Sequence, residues 1–257
     1  MCLFVIAIRQ HERLPLIVAA NRDEFHGRPT QIAHWWPDHP HILGGRDLQA
    51  GGTWLAVHRN GRFATVTNYR DAKKERAGLK SRGHLITAFL GGDESPLDYL
   101  QSIDSEAYAG FNLLVADRGA AAYMSNRGAA MRELQSGIYG LSNATLDEPW
   151  TKVTRSKSRL QALIEEDAVN ETNLLRMLDD RDKAPSEEVQ TDGVSFSMAH
   201  ALTAPFIVLP EYGTRCSTVL TVSDQGSAHF AERRFDARGR TTGESSFAFD
   251  LGGVDRK

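Results

Sequence analysis

Apolar runs of strand length alternate with polar, turn-rich segments along this chain. Residues 2–8 ("CLFVIAI") and 15–20 are short apolar runs separated by "RQHER", a pattern typical of a hairpin of two buried strands. The segments "NRDEFHGRP" and "GGRDLQAGG" are charged or rich in glycine, which predicts two loops. Asn60-Gly61 stands between two runs of alternating apolar residues and predicts a β-hairpin with a tight turn.

Helical and strand patterns alternate through the rest of the chain. Residues 82–106 have a helical pattern interrupted at "GGDESP", where Ser95-Pro96 fits an N-cap and a first-turn proline. "FNLLVAD", "AAYMSN" and "SGIYGLSN" predict a second block of three strands. Pro149 begins an amphipathic helix, and "ETNLLRMLDD" predicts another. Residues 182–200 are polar and predicted to be irregular, and "RCSTVLTVSDQGSAHFAERRFD" and "FAFDL" predict a final hairpin and strand.

The order of these elements indicates the fold class. Strands, helices, strands, helices and strands follow one another without the regular βαβ alternation of a parallel sheet. This order favours antiparallel sheets with helices packed on them, an α+β fold. Because the sequence contains no repeat and no clear linker, we expect a single domain over residues 1–257.

Composition and charge narrow the class of protein. The chain is 41% hydrophobic and 25% charged, with a formal net charge of −3, so it lacks the basic footprint of a nucleic-acid-binding protein. No apolar stretch approaches the roughly 20 residues of a membrane-spanning helix, and "CLFVIAI" lacks the preceding basic residues of a signal peptide. Cys2 and Cys216 permit one disulfide, but nothing else suggests secretion. We therefore expect a cytoplasmic protein with no integral membrane segment.

Cys2 is the first candidate for chemistry. Cysteine is small and often buried, so Cys2 could simply begin a strand. If Met1 is removed, Cys2 instead carries both a thiol and a free α-amine, which are a nucleophile and its base in one residue. The two groups have ordinary pKa values near 8.5 and 8, so small electrostatic effects decide which of them holds the proton.

Polar residues near the predicted strand ends are further candidates. Arg22 and Asp23 follow the second strand, Asn68 and Asn143 follow two later ones, and Arg215 precedes "CSTVLTV". Each has an ordinary explanation, because asparagine is common in turns and an adjacent arginine and aspartate can pair on the surface. Because all of these residues lie near strand ends, we expect their side chains to come together at one edge of a sheet.

Several motifs together resemble a known family. "MC", "ANRDEF", "GGTWLAV", "TNYRD", "YGLSN" with "LDEPWTKV", and "STV" resemble the NRDE family, which is that of the transport and Golgi organisation proteins, from Met1 to about Leu220. That family is in turn similar to the N-terminal-nucleophile (Ntn) hydrolases of the penicillin V acylase and bile-salt hydrolase group. The resemblance implies a four-layer αββα sandwich of two antiparallel sheets flanked by helices.

The resemblance also implies roles for the residues around the nucleophile. Cys2 would be the nucleophile, and Arg22 and Asp23 would orient it. In the hydrolases the corresponding arginine and aspartate are three positions apart, whereas here they are adjacent. A carboxylate beside Cys2 would hold its α-ammonium by a charge-assisted hydrogen bond.

Three further residues complete the implied catalytic set. Asn68 and Asn143 match asparagines of the oxyanion region, where a donated hydrogen bond typically contributes on the order of 3 kcal/mol. Arg215 matches a late arginine near the nucleophile, where it would stabilise a thiolate or an anionic intermediate. The implied reaction is acyl transfer from an amide or thioester of a small acyl substrate to Cys2, followed by hydrolysis. It needs neither a cofactor nor a metal ion.

A non-enzymatic function is the alternative. Members of the NRDE family are linked to Golgi organisation, lipid metabolism and haem trafficking, so a carrier or chaperone of haem or a lipid-like ligand is also expected. Haem needs an axial ligand, and the candidates are Cys2, Cys216, His34, His39 and His41. The three histidines lie in "HWWPDHPHI", which reads as a polar loop and matches no usual zinc spacing.

We predict that Met1 is removed in the cell, because Cys2 is small and the proposed base is its free α-amine. Intact-mass measurement of the native protein should show the loss of one methionine. If all of the protein retained Met1, the α-amine of Cys2 could not be the base, and the N-terminal-nucleophile mechanism would be wrong.

Overall fold

The computed structural model describes residues 2–70, 78–128, 130–191 and 193–252, so the prediction about Met1 lies outside the described residues. The described residues form thirteen strands and five α-helices. In chain order the strands are β1 (Leu3–Ile8), β2 (Leu16–Phe25), β3 (Thr30–Trp35), β4 (Ile42–Asp47), β5 (Leu55–His58), β6 (Phe63–Asn68), β7 (Phe111–Ala116), β8 (Ala121–Ser125), β9 (Arg132–Glu133), β10 (Gly137–Leu141), β11 (Tyr212–Val222), β12 (Ser227–Phe235) and β13 (Thr241–Asp250). The α-helices are α1 (Gly83–Gly91), α2 (Pro96–Ser102), α3 (Thr151–Glu165), α4 (Glu171–Leu178) and α5 (Phe196–Ala201), and short 3₁₀ turns lie at Ser105–Ala107 and Ser186–Glu188.

The chain divides into two compact units, and the first comprises residues 1–27, 136–142 and 146–248. Its sheet has six strands in the order β10-β1-β2-β11-β12-β13. The pairings of β1 with β2 and β10, and of β11 with β2 and β12, are antiparallel. Helix α3 packs on β1 and β10, and α4 packs on β2 and β11. Burial of the apolar residues between the sheet and these helices stabilises the unit by the hydrophobic effect.

The second unit comprises residues 28–135, 143–145 and 249–257. Its seven strands, β3 to β9, follow one another in chain order and pair antiparallel. Helices α1 and α2 pack on this sheet over a core that includes Trp36, Phe89 and Phe111. The indole N–H of Trp36 donates to the Gly44 carbonyl at 2.9 Å, so even the polar atom of this buried ring is satisfied.

Antiparallel sheets with helices packed on them confirm the predicted α+β class. The single-domain prediction over residues 1–257 stays a prediction. The longest helix, α3, has 15 residues, and none of the helices in the described ranges is both long and apolar enough to cross a membrane.

Several local predictions are confirmed. Asn60-Gly61 connects β5 to β6, and Gly61 has a φ of +94°, which suits glycine. Pro96 begins α2, and the Ser95 hydroxyl accepts a hydrogen bond from the Asp98 backbone N–H at 3.2 Å. The two helices predicted after Pro149 are α3 and α4.

The prediction that "NRDEFHGRP" is a loop is wrong for its first five residues. Strand β2 continues through Phe25, and its end pairs with the start of β11, with Phe25 opposite Tyr212 and Asp23 opposite Thr214. Charged residues usually indicate an exposed loop, but this backbone is satisfied by a partner strand about 190 residues later in the chain.

Two other predictions need correction. Part of "GGRDLQAGG" is strand, because β4 extends to Asp47; Gly45 is required there, since a Cβ on it would collide with the Trp54 ring. The three strands predicted as one block are divided between the sheets. Strands β7 and β8 pair with each other, whereas β10 joins the other sheet beside β1.

Candidate active site

The adjacent residues Arg22 and Asp23 lie on opposite faces of the first unit's sheet. Side chains alternate between the faces of a strand, and Ile17 and Ala19 of β2 pack in the core with Leu160 of α3. Asp23 therefore shares the face that the helices cover, and Arg22 lies on the other face. Both side chains are buried, so the alternative of an ordinary surface pair is wrong.

Asp23 is held in place by β11. It is 4% exposed, and the Thr214 hydroxyl donates to its Oδ1 at 2.7 Å. The hydroxyl of Tyr212 donates to the Asp23 backbone carbonyl at 2.9 Å. Burial raises the pKa of the Asp23 carboxyl to about 6, and four influences oppose that rise: the charge of the N-terminal ammonium, the Lys152 charge, the Thr214 hydrogen bond and the Arg22 charge.

Cys2 lies directly before β1 and beside both of these residues. Leu3 pairs with Asn21, so the next step of the antiparallel register places Cys2 opposite Arg22. The Ser142 hydroxyl donates to the Cys2 carbonyl at 2.6 Å and anchors the backbone at this point. Cys2 is partly buried, as expected for a residue at the end of a covered sheet.

The thiol of Cys2 is not ionised by its surroundings alone. Burial raises its pKa, and the Asp23 charge adds to that rise, while the charge of the N-terminal ammonium, the Asp23 backbone N–H and the Arg22 charge lower it. The net shift is upward, so the resting thiol is neutral near pH 7. A base must therefore take its proton before the sulfur can attack a carbonyl.

Arg215 lies inside β11, at a β-bulge, rather than before the strand as predicted. Thr214 pairs with Asp23 and Cys216 pairs with Arg22, so Arg215 is the extra residue. Its guanidinium Nη1 donates to the Phe25 carbonyl at 2.8 Å. This contact places the guanidinium at the end of β2, and its predicted role at the nucleophile stays a prediction.

Cys2 and Cys216 are both thiols and do not form a disulfide. Arg22 of β2 lies between them, since Cys216 pairs with Arg22 from the other side. Positions separated by an intervening strand are about 9–10 Å apart, beyond the reach of a disulfide. Cys216 is buried, and its pKa is raised well above its ordinary value by burial and by Glu232, which makes its thiol inert.

Asn68 and Asn143 lie in the second unit, where the structure brings them together. Asn68 is the last residue of β6, and the side-chain N–H of Asn143 donates to the Asn68 carbonyl at 2.7 Å. The backbone N–H of Arg70 donates to the Asn143 carbonyl at 2.6 Å. The predicted donation from these amides to an oxyanion stays a prediction.

The histidines of "HWWPDHPHI" are spread over different surroundings. His34 belongs to β3 rather than to a loop, and its Nδ1 lies 2.7 Å from the Ile32 carbonyl oxygen. His39 packs beside the Trp36 ring, and His41 packs beside His58. Across the part of the chain that the structure describes, no three His, Cys, Asp or Glu side chains are arranged to hold a metal ion.

Two residues that act on Asp23, Lys152 and Thr214, were not predicted from the sequence. Lys152 is 1% exposed and lies on α3. It precedes buried Ser156 and Leu160 by four and eight residues, so helical periodicity places all three on the core-facing side. That spacing was a visible signal, since a lysine stands where an apolar residue is expected.

The sequence profile of the family described as Transport and Golgi organisation 2 matches residues 1–237. The Transport and Golgi organization protein 2 homolog of Bos taurus is 36% identical over 239 residues, which cover 85% of this chain and 86% of that protein. The Transport and Golgi organization protein 2 of Drosophila melanogaster is 29% identical over 241 residues, covering 84% and 85%. The predicted family resemblance is therefore confirmed.

A solved structure shows a similar fold. The C2A mutant of a conjugated bile acid hydrolase from Clostridium perfringens superposes with a TM-score of 0.53, covering 97% of this chain and 92% of the other, at 8% identity. Identity this low shows the fold alone, which is that of the Ntn hydrolases. The predicted α+β fold, a four-layer αββα sandwich of the Ntn-hydrolase type, is thereby confirmed.

We predict that Cys2, not Cys216, is the reactive thiol. Cys2 is partly buried beside Arg22, whereas Cys216 is 4% exposed and its pKa is raised further. Limiting iodoacetamide on the native protein, followed by peptide mapping, should find the adduct on Cys2, and Cys216→Ser should be labelled as the wild type is. Preferential labelling of Cys216 would contradict this assignment.

We also predict that the contribution of Asp23 to stability decreases as the pH rises from 4 to 7. Its pKa is 3.8 ordinarily and about 6 when folded, so its contribution to stability is greatest below pH 4 and is lost as the pH rises to 6. Relative to wild type, Asp23→Asn should gain about 2 kcal/mol in unfolding free energy between pH 4 and pH 7.

Urea denaturation at both pH values measures this change, and Asp236 provides the control. Hydrogen bonds from the backbone and side chain of Arg240 lower the pKa of Asp236 to about 2. Its contribution to stability therefore changes mainly below pH 4, and Asp236→Asn should differ from wild type by a nearly constant amount between pH 4 and pH 7. A pH-independent difference for Asp23→Asn would show that its pKa is not raised.

Proposed function

Because this chain belongs to the Transport and Golgi organisation 2 family and has the fold of the Ntn hydrolases, we propose that it is an N-terminal cysteine hydrolase or acyltransferase. Its substrate would be the amide or thioester of a small acyl group. The observation that carries this proposal is the thiol of Cys2, which lies beside the Asp23 backbone N–H and the Arg22 charge. The bile acid hydrolase mutant of similar fold also has its substitution at a cysteine in the second position.

The proposed reaction uses the two groups that Cys2 would carry after Met1 is removed. The α-amine takes the thiol proton, and Sγ attacks the acyl carbonyl carbon to form a tetrahedral intermediate. The carbon–nitrogen or carbon–sulfur bond then breaks, and the α-ammonium returns its proton to the leaving amine or thiolate. Water, deprotonated by the amine, cleaves the resulting thioester and restores the thiol.

Charged groups around Cys2 would support each step. Above pH 6 the Asp23 carboxylate is ionised and would hold the α-ammonium that forms when the thiol gives up its proton. Arg22 would stabilise the thiolate. In the proposal, Arg215 supplies a further positive charge, because its guanidinium does not lose its proton. The amides of Asn68 and Asn143 would donate hydrogen bonds to the oxyanion.

The decisive experiment measures hydrolysis of a panel of acyl amides and acyl thioesters by purified protein. Cys2→Ala should lower the rate by about a thousandfold or more, because the nucleophile is absent. Cys216→Ala is the matched control, since it removes a buried cysteine from the same sheet, and it should keep the wild-type rate. Hydrolysis at equal rates by wild type and Cys2→Ala would refute the proposal.

The same preparation tests the alternative of a haem carrier. Haemin is added to the wild type, and its Soret band is recorded. A shifted band that is lost on replacing Cys2, Cys216 or one of the three histidines, together with no Cys2-dependent hydrolysis, would favour carriage over catalysis.

A further inference from the structure

A lysine stands on the buried face of α3, where helical periodicity calls for an apolar residue. Lys152 is 1% exposed, and the buried residues of this helix are Lys152, Val153, Ser156 and Leu160. Leu160 packs in the core between the helices and the sheet. A buried ammonium is costly unless an opposite charge lies nearby, so the position of Lys152 needs an explanation.

The first turn of α3 lies over the end of the sheet that carries Cys2. Helix α3 packs on β1 and β10, and a Cβ on Gly140 of β10 would collide with Val153. Two residues beyond Gly140, the Ser142 hydroxyl donates to the Cys2 carbonyl. Lys152 therefore enters the unit from the helix side, near the start of β1.

Asp23 is the acid on that side of the sheet. Its side chain shares the helix-covered face with Ile17 and Ala19, and it is 4% exposed. Its neighbours come from four elements: Cys2 before β1, Arg22 on β2, Thr214 on β11 and Lys152 on α3. The ammonium at the N-terminus opposes the burial-induced rise in the pKa of Asp23 most strongly, and Lys152 comes next, ahead of Thr214 and Arg22.

We propose that Lys152 is a positioning residue of the Cys2 site: its buried ammonium keeps the Asp23 carboxylate ionised near neutral pH. The catalytic meaning of this role rests on the proposed function. With Lys152 as a fixed counter-charge, the charge of Asp23 depends less on the ammonium at the N-terminus. An ionised Asp23 would hold the α-ammonium that forms when the amine takes the thiol proton, and Lys152 acts on the nucleophile only through Asp23.

The test follows the ionisation of Asp23 directly. Full-length protein labelled with ¹³C at aspartate side-chain carboxyls is titrated by NMR, and the Asp23 signal is identified by its absence in Asp23→Asn. Lys152→Met, which keeps length but removes charge, should raise the midpoint of the Asp23 titration by about one pH unit or more. Lys152→Arg keeps the charge and should restore the wild-type midpoint.

Lys157→Met is the matched control. Lys157 lies on the same helix, and its Nζ pairs with Asp147 at 2.6 Å, so its replacement removes an equal charge from a different acid. It should leave the Asp23 midpoint unchanged. An unchanged midpoint in folded Lys152→Met, or an equal shift in Lys157→Met, would overturn the proposal.

A second variant covers the case in which Lys152→Met does not fold. Under this proposal, Lys152→Met would fail to fold because the buried Asp23 carboxylate has lost its counter-charge. Removing that carboxylate as well, in Asp23→Asn/Lys152→Met, should therefore restore folding. Failure of the double variant to fold would show that Lys152 stabilises the protein in another way. The titration of Asp23 does not depend on turnover. A wild type without hydrolase activity would therefore refute the proposed function, but it would not change the conclusion about Lys152 and Asp23.

Discussion

The ladder between β2 and β11 is the constraint on which the candidate site depends. It pairs residues near the start of the chain with residues about 190 positions later. Asn21 reinforces it, because its side-chain Oδ1 accepts from Ser217 at 2.6 Å and its Nδ2 donates to the Leu178 and Pro205 carbonyls at 2.9 Å. These hydrogen bonds satisfy a buried amide and hold the charged end of β2 in strand conformation.

Strand geometry explains how adjacent charges serve one site. The resemblance to the hydrolases implied an arginine and an aspartate three positions apart, and here the two are neighbours. In β2 this adjacency sends Asp23 to the helix-covered face and Arg22 to the opposite one. The bulge at Arg215 then matters, because it keeps Thr214 on the Asp23 face and Cys216 on the Arg22 face. The site is therefore built from both faces at one end of the sheet.

Local signals in the sequence predicted much of the fold. The hairpin at Asn60-Gly61 and the cap at Ser95-Pro96 depend on residues next to each other, and both are present. The end of β2 was not predictable in this way. Arg22 and Asp23 look like loop residues until their partners are known, and Thr214 lies 191 positions from Asp23. The place of strand β10 in the other sheet was not predictable for the same reason, since it depends on pairing with β1, which is distant in the sequence.

The sequence predicted which residues form the site, but not their burial or their ionisation. The family resemblance supplied Cys2, Arg22 and Asp23, and the structure brings these three together. Sequence could not show that burial dominates the ionisation of Cys2 and Asp23, because burial is a property of the assembled sheet. Lys152 was visible as an anomaly in the helical pattern, but its neighbour Asp23 became known only with the packing of α3.

The same long ladder sets an order of events during synthesis. Cys2 and Asp23 are synthesised before Thr214, which follows Asp23 by 191 residues, a delay of roughly 10–40 s at ordinary rates of translation. Throughout that interval β2 lacks its β11 partner, so the sheet that buries the cysteine and the aspartate is incomplete. The nascent thiol therefore has nearly its ordinary acidity, and any processing of the first residues acts on an uncovered end. Cys2 and Asp23 are thus made well before the strand that completes their enclosure.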